Sequence, residues 1–411
     1  MKKIIGFLTL LILVSCNGSG LNNRNEPKEK GAYSVDKTDI RRVVSEYLSD
    51  NSSQRSVLPV NPILSIDSIV SVKHGIRNAP DLYIPTTPLY FVRLQDGSTI
   101  VVAGDKRAEP IRAHLRKISF SFSDGRLNNQ NDIPDPIKFI LGVCSASLVD
   151  EVNSQQTTNP HWNGINVRAS HSTDYVQPSK CLVSWGQGKP LNRESPASTG
   201  RYSSGGHASA GCVTIALAQA ITLFRENFGV FKGYSLETSW AQLKKRPFNW
   251  SFTDENEIKD ISYIIKTIAE NIEISYNSDG SAGTSMRKGI DFLGRYLGGM
   301  YGYDEEWDQV ESNMRSNSKG ITILSGNEKS SGWLWNVLGI DMPRTSGHAM
   351  LLDGFKNVDG RTLFYVNFGW GGTGNGYILY GDKSWRDDAL AKYGLRMKVY
   401  NFHLDTDYDD F

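Results

Sequence analysis

Residues 211–220 of the chain read GCVTIALAQA, and this stretch decides how the sequence around it is interpreted. Apolar side chains recur at helical spacing from Val213 to Phe228, and small, turn-forming residues fill 203–211. This pattern predicts a buried helix that begins at or near Cys212. The N–H groups and positive dipole end of a helix N-terminus favour a thiolate, so we expect Cys212 to be a nucleophile with a lowered pKa. The alternative is a small buried apolar side chain.

A hairpin farther along the chain supplies a histidine. Residues 348–356 predict a strand, residues 357–360 (NVDG) a turn, and residues 362–368 the returning strand. Pairing outward from the turn places His348 opposite residues 369–371. A thiol nucleophile requires an adjacent base, which is the role we predict for His348. The alternative is a core histidine that bonds to the backbone.

The same register brings Asn367 and Trp370 within one residue pair or one diagonal of the imidazole. An asparagine carbonyl can accept from one ring nitrogen and fix the tautomer, and an indole can shield that bond from water. The glycines after Trp370 also fit a plain tight turn, and no helix or Lys-Ser/Thr pair follows them as a phosphate cradle would need. His207 is a second candidate base, but its surroundings predict no strand or orienting group, so we assign it to a loop.

Together these motifs resemble the streptopain family, bacterial papain-fold cysteine peptidases that are made as zymogens. The matching segments run in chain order: Trp185–Asn192, Ala210–Val213 with Ala218–Gln219, Asn249–Trp250, Gly280–Ser285, Gly347–Gly354 and Val366–Gly372. A weaker match to the propeptide of the family covers residues 90–107.

The resemblance implies an α+β fold of the papain-like, two-subdomain kind, with a helical half followed by an antiparallel β half. A small α+β prodomain would precede it. The resemblance also makes Gln187 the side chain that binds the oxyanion beside the backbone N–H of Cys212, which suits an amide donor. A turn residue in a Gly-Gln-Gly loop is the alternative for Gln187. The implied activity is endopeptidase hydrolysis through a Cys212–His348 thiolate–imidazolium pair.

The sequence departs from the family pattern at three places. Phe368 replaces a second tryptophan, Leu191 replaces a tyrosine, and residues 329–344 are longer than the usual lead-in to the histidine. This longer segment carries Trp333 and Trp335. We consider two interpretations for it: a flap over the cleft whose aromatic side chains contact substrate, or a buried patch on the β half.

The N-terminus predicts export. Residues 1–3 are Met-Lys-Lys, residues 4–14 are an apolar run too short to span a bilayer, and Leu13-Val14-Ser15-Cys16 resembles a lipoprotein cleavage box. We therefore expect residues 1–16 to be a lipoprotein signal, Cys16 to be lipidated, and residues 17–34 to form a flexible tether. An ordinary secretory signal is the alternative. The predicted location is the bacterial membrane or cell surface, with release on maturation as an option.

The rest of the chain divides into two predicted parts: a propeptide domain at residues 35–168 and a catalytic domain at residues 169–411. Thr38-Asp39 predicts a helix cap, residues 89–103 predict a hairpin, and the polar run 152–180 predicts an exposed linker. The propeptide is expected to inhibit the enzyme. Cys144 and Cys181 are a possible disulfide pair, which leaves Cys212 as a free thiol.

The composition limits the classes of partner. The chain has 411 residues, 45 Lys and Arg side chains and 44 Asp and Glu side chains, a balance that gives no reason to expect nucleic acid. No CxxC, HExxH or EF-hand spacing is present, so we predict no metal and no cofactor. Protein or peptide substrates are the expected partners, with membrane contact through the lipid alone. The competing functions are another papain-like Cys/His enzyme, such as an amidase or transglutaminase, and a catalytically inactive or non-peptidase surface lipoprotein.

Overall fold

A computed structural model provides the fold. It describes residues 31–50, 62–71, 82–163, 176–177, 179–224, 230–231, 233–245, 254–296, 301–315, 320–328, 333–340, 347–358, 360–380, 385 and 390–404. The predicted signal, Cys16 and the Asn249–Trp250 motif lie outside these residues, as does most of the predicted tether. Within these ranges, no helix combines the length and the apolar character needed to cross a bilayer.

The described helices are α1 (Lys37–Asp50), α2 (Asp135–Ser154), α3 (Cys212–Phe224), α4 (Trp240–Leu243), α5 (Glu255–Asn271), α6 (Met286–Tyr296), α7 (Val310–Met314) and α8 (Trp333–Leu338). Short 3₁₀ turns occupy Gln130–Asp132, Pro160–Trp162 and Trp307–Gln309.

The described strands are β1 (Ile63–Ile69), β2 (Leu89–Leu94), β3 (Thr99–Ala103), β4 (Ile111–Leu115), β5 (Phe122–Ser123), β6 (Arg126–Leu127), β7 (Val176–Gln177), β8 (Val230–Phe231), β9 (Tyr234–Ser235), β10 (Ser275–Tyr276), β11 (Ala282–Gly283), β12 (Tyr301–Asp304), β13 (Ile321–Glu328), β14 (His348–Val358), β15 (Arg361–Asn367), β16 (Gly376–Tyr380) and β17 (Leu395–Leu404).

The catalytic part has the predicted α+β, papain-like architecture. Helices α3, α5 and α6 pack together as the helical half, and strands β12 to β17 form the β half that follows. Helix α3 contacts both halves, because it packs on α5 and α6 and also against β14. The nucleophile helix therefore lies where the two halves meet, which is where clefts in such folds hold their sites.

One antiparallel sheet runs through both parts of the chain. Its order is β1-β2-β3-β4-β16-β15-β14-β13-β17-β12, with β7 added beside β14. The junction lies between β4 and β16, where Tyr377 pairs with His114 and Ile378 pairs with Ala113. The N-terminal part is thus joined to the catalytic sheet by backbone hydrogen bonds as well as by side-chain packing.

Helix α2 lies in the core between the two parts. Fifteen of its residues are buried, from Pro136 to Val152, so the helix is apolar on nearly all sides. The exposed-linker prediction holds for most of residues 152–163, since residues 153–157, 160 and 163 are exposed. It is wrong at two positions: Val152, near the end of α2, is buried, and Trp162 is buried and donates from its indole nitrogen to the Ala108 carbonyl oxygen at 2.8 Å.

Three further expectations need correction. The flap interpretation of residues 329–344 is wrong for the described part, because Trp333 and Trp335 are each 3% exposed within α8, which packs on α2. Cys144 and Cys181 are both free buried thiols. The cap of α1 is Asp36, whose Oδ1 accepts from the backbone N–H groups of residues 38 and 39 at 2.7 and 2.8 Å.

Candidate active site

The nucleophile candidate is positioned by a left-handed glycine. Gly211 has φ 84° and immediately precedes Cys212, the first residue of α3. A side chain at this backbone conformation would be strained, and an added Cβ would also meet the Ile274 side chain. The Cys212 Sγ atom lies 3.8 Å from the Gly347 carbonyl oxygen, so the thiol faces the start of β14.

The predicted lowering of the Cys212 pKa is wrong for this conformation. Burial raises the pKa of the Cys212 thiol, and the backbone N–H groups of Ala349, Val213 and Cys212 only partly oppose that effect. The helix N-terminus does act on the sulfur as expected, but loss of water around the thiolate outweighs it. Burial thus favours the protonated thiol over the thiolate in this state.

The histidine candidate is the first residue of β14, where it pairs with Gly326 of β13. Both His348 ring nitrogens are buried, and neither has a hydrogen-bond partner among the described residues. Burial lowers the pKa of His348 to about 4, against the opposing effect of the Asp135 carboxylate. His348 and Cys212 line one cavity of about 390 Å³, but they do not form an ion pair in this state.

The hairpin register places Asn367 and Trp370 near His348, but among the described residues neither forms a hydrogen bond with the imidazole. The hairpin register pairs Leu351 with Asn367, and its extrapolation past the end of β15 leads from His348 to Trp370. The backbone of Trp370 instead forms an isolated bridge with Gly186. The Asn367 amide donates to Gln219 Oε1 at 2.8 Å and to the Val183 carbonyl oxygen at 3.1 Å.

Gln187 has a buried side chain that is 6% exposed. Its Oε1 accepts from Ser209 Oγ at 3.0 Å, while its Nε2 has no hydrogen-bond partner in the described part of the chain. A fixed amide with an uncommitted N–H₂ group is what an oxyanion site needs. Gln187 and Trp370 line a second cavity, of about 570 Å³, whose lining also includes Asp135 and Lys138 at the start of α2.

The sequence analysis assigned no role to two side chains that organise the site, Ser209 and Gln219, although Gln219 lies in one of the matching segments. A glutamine inside the otherwise apolar helix α3, two turns after Cys212, was a usable signal for Gln219.

His207 has the predicted loop environment, since its Nδ1 lies 2.8 Å from the Ser195 carbonyl oxygen. Within the described ranges, no group of three or more His, Cys, Asp or Glu side chains could hold a metal ion.

A cysteine at the start of a central helix, facing a histidine at the start of a β-half strand, defines a cysteine peptidase with a papain-like fold. Comparison with known proteins agrees with this class. Residues 185–378 match the Peptidase C10 family, which agrees with the resemblance of the motifs to the streptopain family.

Two relatives and one solved structure illustrate the likeness. Streptopain from Streptococcus pyogenes serotype M28 (strain MGAS6180) is 24% identical over 351 residues, covering 77% of this chain and 82% of that protein. Streptopain from serotype M1 gives the same identity and coverage. A fragment of prointerpain A from Prevotella intermedia superposes with a TM-score of 0.50 at 16% identity, over 81% of this chain and 98% of the fragment. At that identity the structural likeness concerns the fold alone.

Proposed function

We propose that the chain is the zymogen of an exported, lipid-anchored cysteine endopeptidase, whose N-terminal part holds the catalytic part inactive. In the active form, the Cys212 thiolate attacks a peptide carbonyl carbon, and Gln187 Nε2 with the Cys212 backbone N–H binds the oxyanion. The His348 imidazolium gives its proton to the departing amine. Water then hydrolyses the thioester, with His348 accepting a proton and Asn367 and Trp370 holding the ring.

The observation that carries the zymogen proposal is the position of the first turn of α2. Asp135 and Lys138 form one wall of the cavity that Gln187 and Trp370 line. Asp135 Oδ1 accepts from Lys138 Nζ at 3.1 Å, and Asp135 Oδ2 accepts from Tyr202 Oη at 3.4 Å. A segment N-terminal to the catalytic part thus lines the same cavity as the proposed oxyanion side chain, where it would narrow the approach of a substrate.

The protonation state of the catalytic pair supports latency. A buried neutral thiol and a buried neutral imidazole are each favoured separately, because burial raises the pKa of Cys212 and lowers the pKa of His348. The thiolate–imidazolium pair forms only if the pKa of Cys212 falls and the pKa of His348 rises. Removal of α2 would open His348 to solvent, because Phe139 of α2 lies against Gly326, the partner of His348 in the sheet.

Contacts far from the site hold the N-terminal part in place. Arg361 of β15 donates to Glu109 Oε1 at 2.6 Å, and both side chains are about one-tenth exposed. The β4–β16 pairing adds backbone hydrogen bonds. We propose that release requires a cut within residues 152–180, and the contacts of Trp162 and β7 argue against a cut at those two places. Trp162 is bound to Ala108, and β7 is paired with Phe355 and Lys356 of β14.

An epoxide thiol inhibitor separates this proposal from its rivals. We expect the purified chain to convert itself to a shorter form that reacts with the epoxide at Cys212 and hydrolyses a casein substrate. The Cys212→Ser chain should stay full-length and unlabelled. A shortened wild-type chain that reacts with epoxide but cleaves no peptide bond would support the amidase or transglutaminase alternative. A chain that does neither would support the inactive lipoprotein.

Lipid anchoring has its own test. Cells grown with a clickable palmitate analogue should label the wild-type chain and not the Cys16→Ala chain. Labelling of both, or of neither, would contradict the lipoprotein assignment without bearing on the peptidase.

A further inference from the structure

Gln219 is a polar side chain in the middle of an apolar helix. It lies two turns after Cys212 on α3 and is fully buried, with 0% of its surface exposed. Its Oε1 accepts two hydrogen bonds, one from the Trp185 backbone N–H at 3.1 Å and one from Asn367 Nδ2 at 2.8 Å. One carbonyl oxygen thus joins the nucleophile helix to the segment before Gln187 and to the end of β15.

We infer that Gln219 is a positioning residue for the peptidase reaction, which sets the direction of the Asn367 side-chain amide and the path of the chain from Trp185 to Gln187. This inference rests on the proposed function. It assigns Gln219 no contact with substrate.

The two ends of the Asn367 amide have different partners. The Nδ2 end donates to Gln219 Oε1 and to the Val183 carbonyl oxygen, while the Oδ1 end accepts from the Gly369 backbone N–H at 3.2 Å. Two acceptors on one side and a donor on the other allow only one orientation of the amide. The carbonyl end is therefore fixed on the Gly369 backbone N–H, at the start of the Gly369–Trp370 segment.

This direction matters for the base. An imidazolium N–H needs an acceptor, so Asn367 can orient His348 only with its carbonyl end. A flipped amide would present an N–H₂ group, and two donors would then oppose each other. Without the Gln219 carbonyl, Asn367 Nδ2 would keep only the Val183 carbonyl as acceptor, and the preference for the productive orientation would fall.

The second hydrogen bond acts on the oxyanion side. Trp185 is two residues before Gln187, and Gly186 between them bridges the backbone of Trp370. An added Cβ at Gly186 would lie 2.9 Å from the Gly371 nitrogen, so the two segments are in close contact. A shift of the Trp185 backbone would therefore move Gln187 and Trp370 together.

The other half of the Gln219 amide has no such role. Its Nε2 has no hydrogen-bond partner within the described residues, so the inferred function resides in Oε1. Glutamate keeps that acceptor at the same reach, asparagine keeps the amide but withdraws it by one methylene, and methionine removes the acceptor at similar volume. These three substitutions separate chemistry from packing.

The experiment compares matured enzymes by peptide hydrolysis against pH, with active sites counted by the epoxide. We expect Gln219→Met and Gln219→Asn to lower kcat about tenfold or more with little change in KM, as misplacement of catalytic groups does. The alkaline limb of the profile should move to lower pH, because a poorly oriented imidazolium loses its proton more easily. Gln219→Glu should retain more activity than Gln219→Asn.

Thr222→Val is the matched control. Thr222 is buried on the same helix and donates to the Gln219 backbone carbonyl at 2.6 Å, and its hydrogen bonds in the described part of the chain do not include Asn367 or Trp185. It should keep the wild-type pH profile. A double mutant tests whether Gln219 acts through Asn367. In an Asn367→Ala enzyme, Gln219→Met should reduce kcat much less than in the wild type, because coupled residues do not act additively.

The outcomes are distinguishable. If the wild type is active and its kcat and pH profile are unchanged by Gln219→Met and Gln219→Asn, the inference alone is overturned. The same holds if Thr222→Val loses as much kcat as the Gln219 variants. If Gln219→Met does not mature, Gln219→Asn against Gln219→Glu decides, since equal activity of these two contradicts a role for the carbonyl. A wild type that neither binds the epoxide nor cleaves peptide overturns the proposed function and this inference with it.

Discussion

The indole ring of Trp335, in the first turn of α8, lies directly over Gly142 in the middle of α2. Because residue 142 has no side chain, the ring reaches the α2 backbone. A Cβ added at residue 142 would overlap the ring. Trp335 is buried at this contact, and α8 is the described element that precedes β14 and His348. The contact thus joins the N-terminal part of the chain to the segment leading to His348, the candidate base.

Gly142→Val is expected to weaken latency. Overpacking of a filled contact costs about 1–3 kcal/mol, and separation of α2 from α8 relieves that cost. We therefore expect the full-length Gly142→Val chain to mature faster and to react with the epoxide ten-fold faster or more before any cut. Gel analysis of maturation and mass spectrometry of the labelled full-length species provide the measurements.

Gly294→Val is the control for valine in a helix. Gly294 lies in α6, and no heavy atom lies within 4 Å of a Cβ added there. Its maturation should match the wild type, with little change in stability, because valine has a slightly higher helix propensity than glycine. Wild-type maturation and labelling in a well-folded Gly142→Val chain would show that the α2–α8 contact does not restrain the site.

Alkylation of Cys212 should report the protonation state directly. In the full-length chain, burial raises the pKa of Cys212, so reaction with iodoacetamide should be slow at pH 7 and still rising beyond about pH 8.5. In the matured enzyme, an imidazolium partner should keep the reaction fast down to about pH 6. Peptide mapping identifies the labelled cysteine.

Cys144 serves as an internal reference in the same digest. It is fully buried in α2, and burial raises its pKa to about 11, so it should stay unlabelled at pH 7 while the chain is folded. Fast, pH-independent alkylation of Cys212 in the full-length chain would contradict the latent state.

The sequence predicted those elements whose pattern is local. Helix α3, the hairpin of β2 and β3, and the hairpin of β14 and β15 lie where hydrophobic spacing and turn residues indicate them. Helix α2 was not predicted, because it is apolar on nearly all sides and a buried helix has no amphipathic face to detect. Trp335 packs on Gly142 of α2, so the sequence alone left both interpretations of residues 329–344, flap and buried patch, open.

The site was predictable in its residue types and less so in its contacts. The register of the hairpin indicated that Asn367 and Trp370 lie near His348. It could not indicate that Gln219, 148 positions before Asn367 in the chain, would bind the amide of that residue. The rule that a helix N-terminus lowers a thiol pKa applies to Cys212 as well, but its burial here has the larger effect.

The uncommitted amide of Gln187 leads to a prediction about rate. Gln187→Ala should lower kcat about 100-fold with a small change in KM, because the donor acts on charge that develops in the transition state. Gln187→Glu should be at least as slow, since a carboxylate cannot donate and repels the oxyanion. Steady-state kinetics on matured enzyme, normalised by epoxide titration, check both.

Ser209→Ala tests how Gln187 is held. Ser209 Oγ donates to Gln187 Oε1 at 3.0 Å, so its removal should cause a smaller loss, of the order of ten-fold, with the donor still present. Full activity in Gln187→Ala would remove Gln187 from the mechanism. A Ser209→Ala loss larger than that of Gln187→Ala would point to a separate role for the serine.

The last prediction concerns a buried carboxylate behind the site. Asp353 occupies a bulge of β14, between the Leu352 and Gly354 pairs, and it is fully buried. Its Oδ2 accepts from the Cys181 backbone N–H at 2.6 Å and from Ser179 Oγ at 2.7 Å, while Oδ1 has no hydrogen-bond partner in the described ranges. Burial raises the pKa of Asp353 to about 6. The charged form is thus tolerated at neutral pH but not favoured by the fold.

Asp353→Asn should therefore stabilise the protein in a pH-dependent way. Because the folded pKa lies above the ordinary value, folding favours the protonated form, and the destabilising effect of the charge grows as pH rises through about 4 to 6 and is constant above. Asparagine keeps the acceptor for Cys181 and Ser179 and carries no charge. The gain in unfolding free energy should be on the order of 3 kcal/mol at pH 7.5 and near zero at pH 4. Thermal unfolding in a Cys212→Ser background, which prevents self-cleavage, measures it, and a gain that is the same at both pH values would mean that the Asp353 charge is not destabilising.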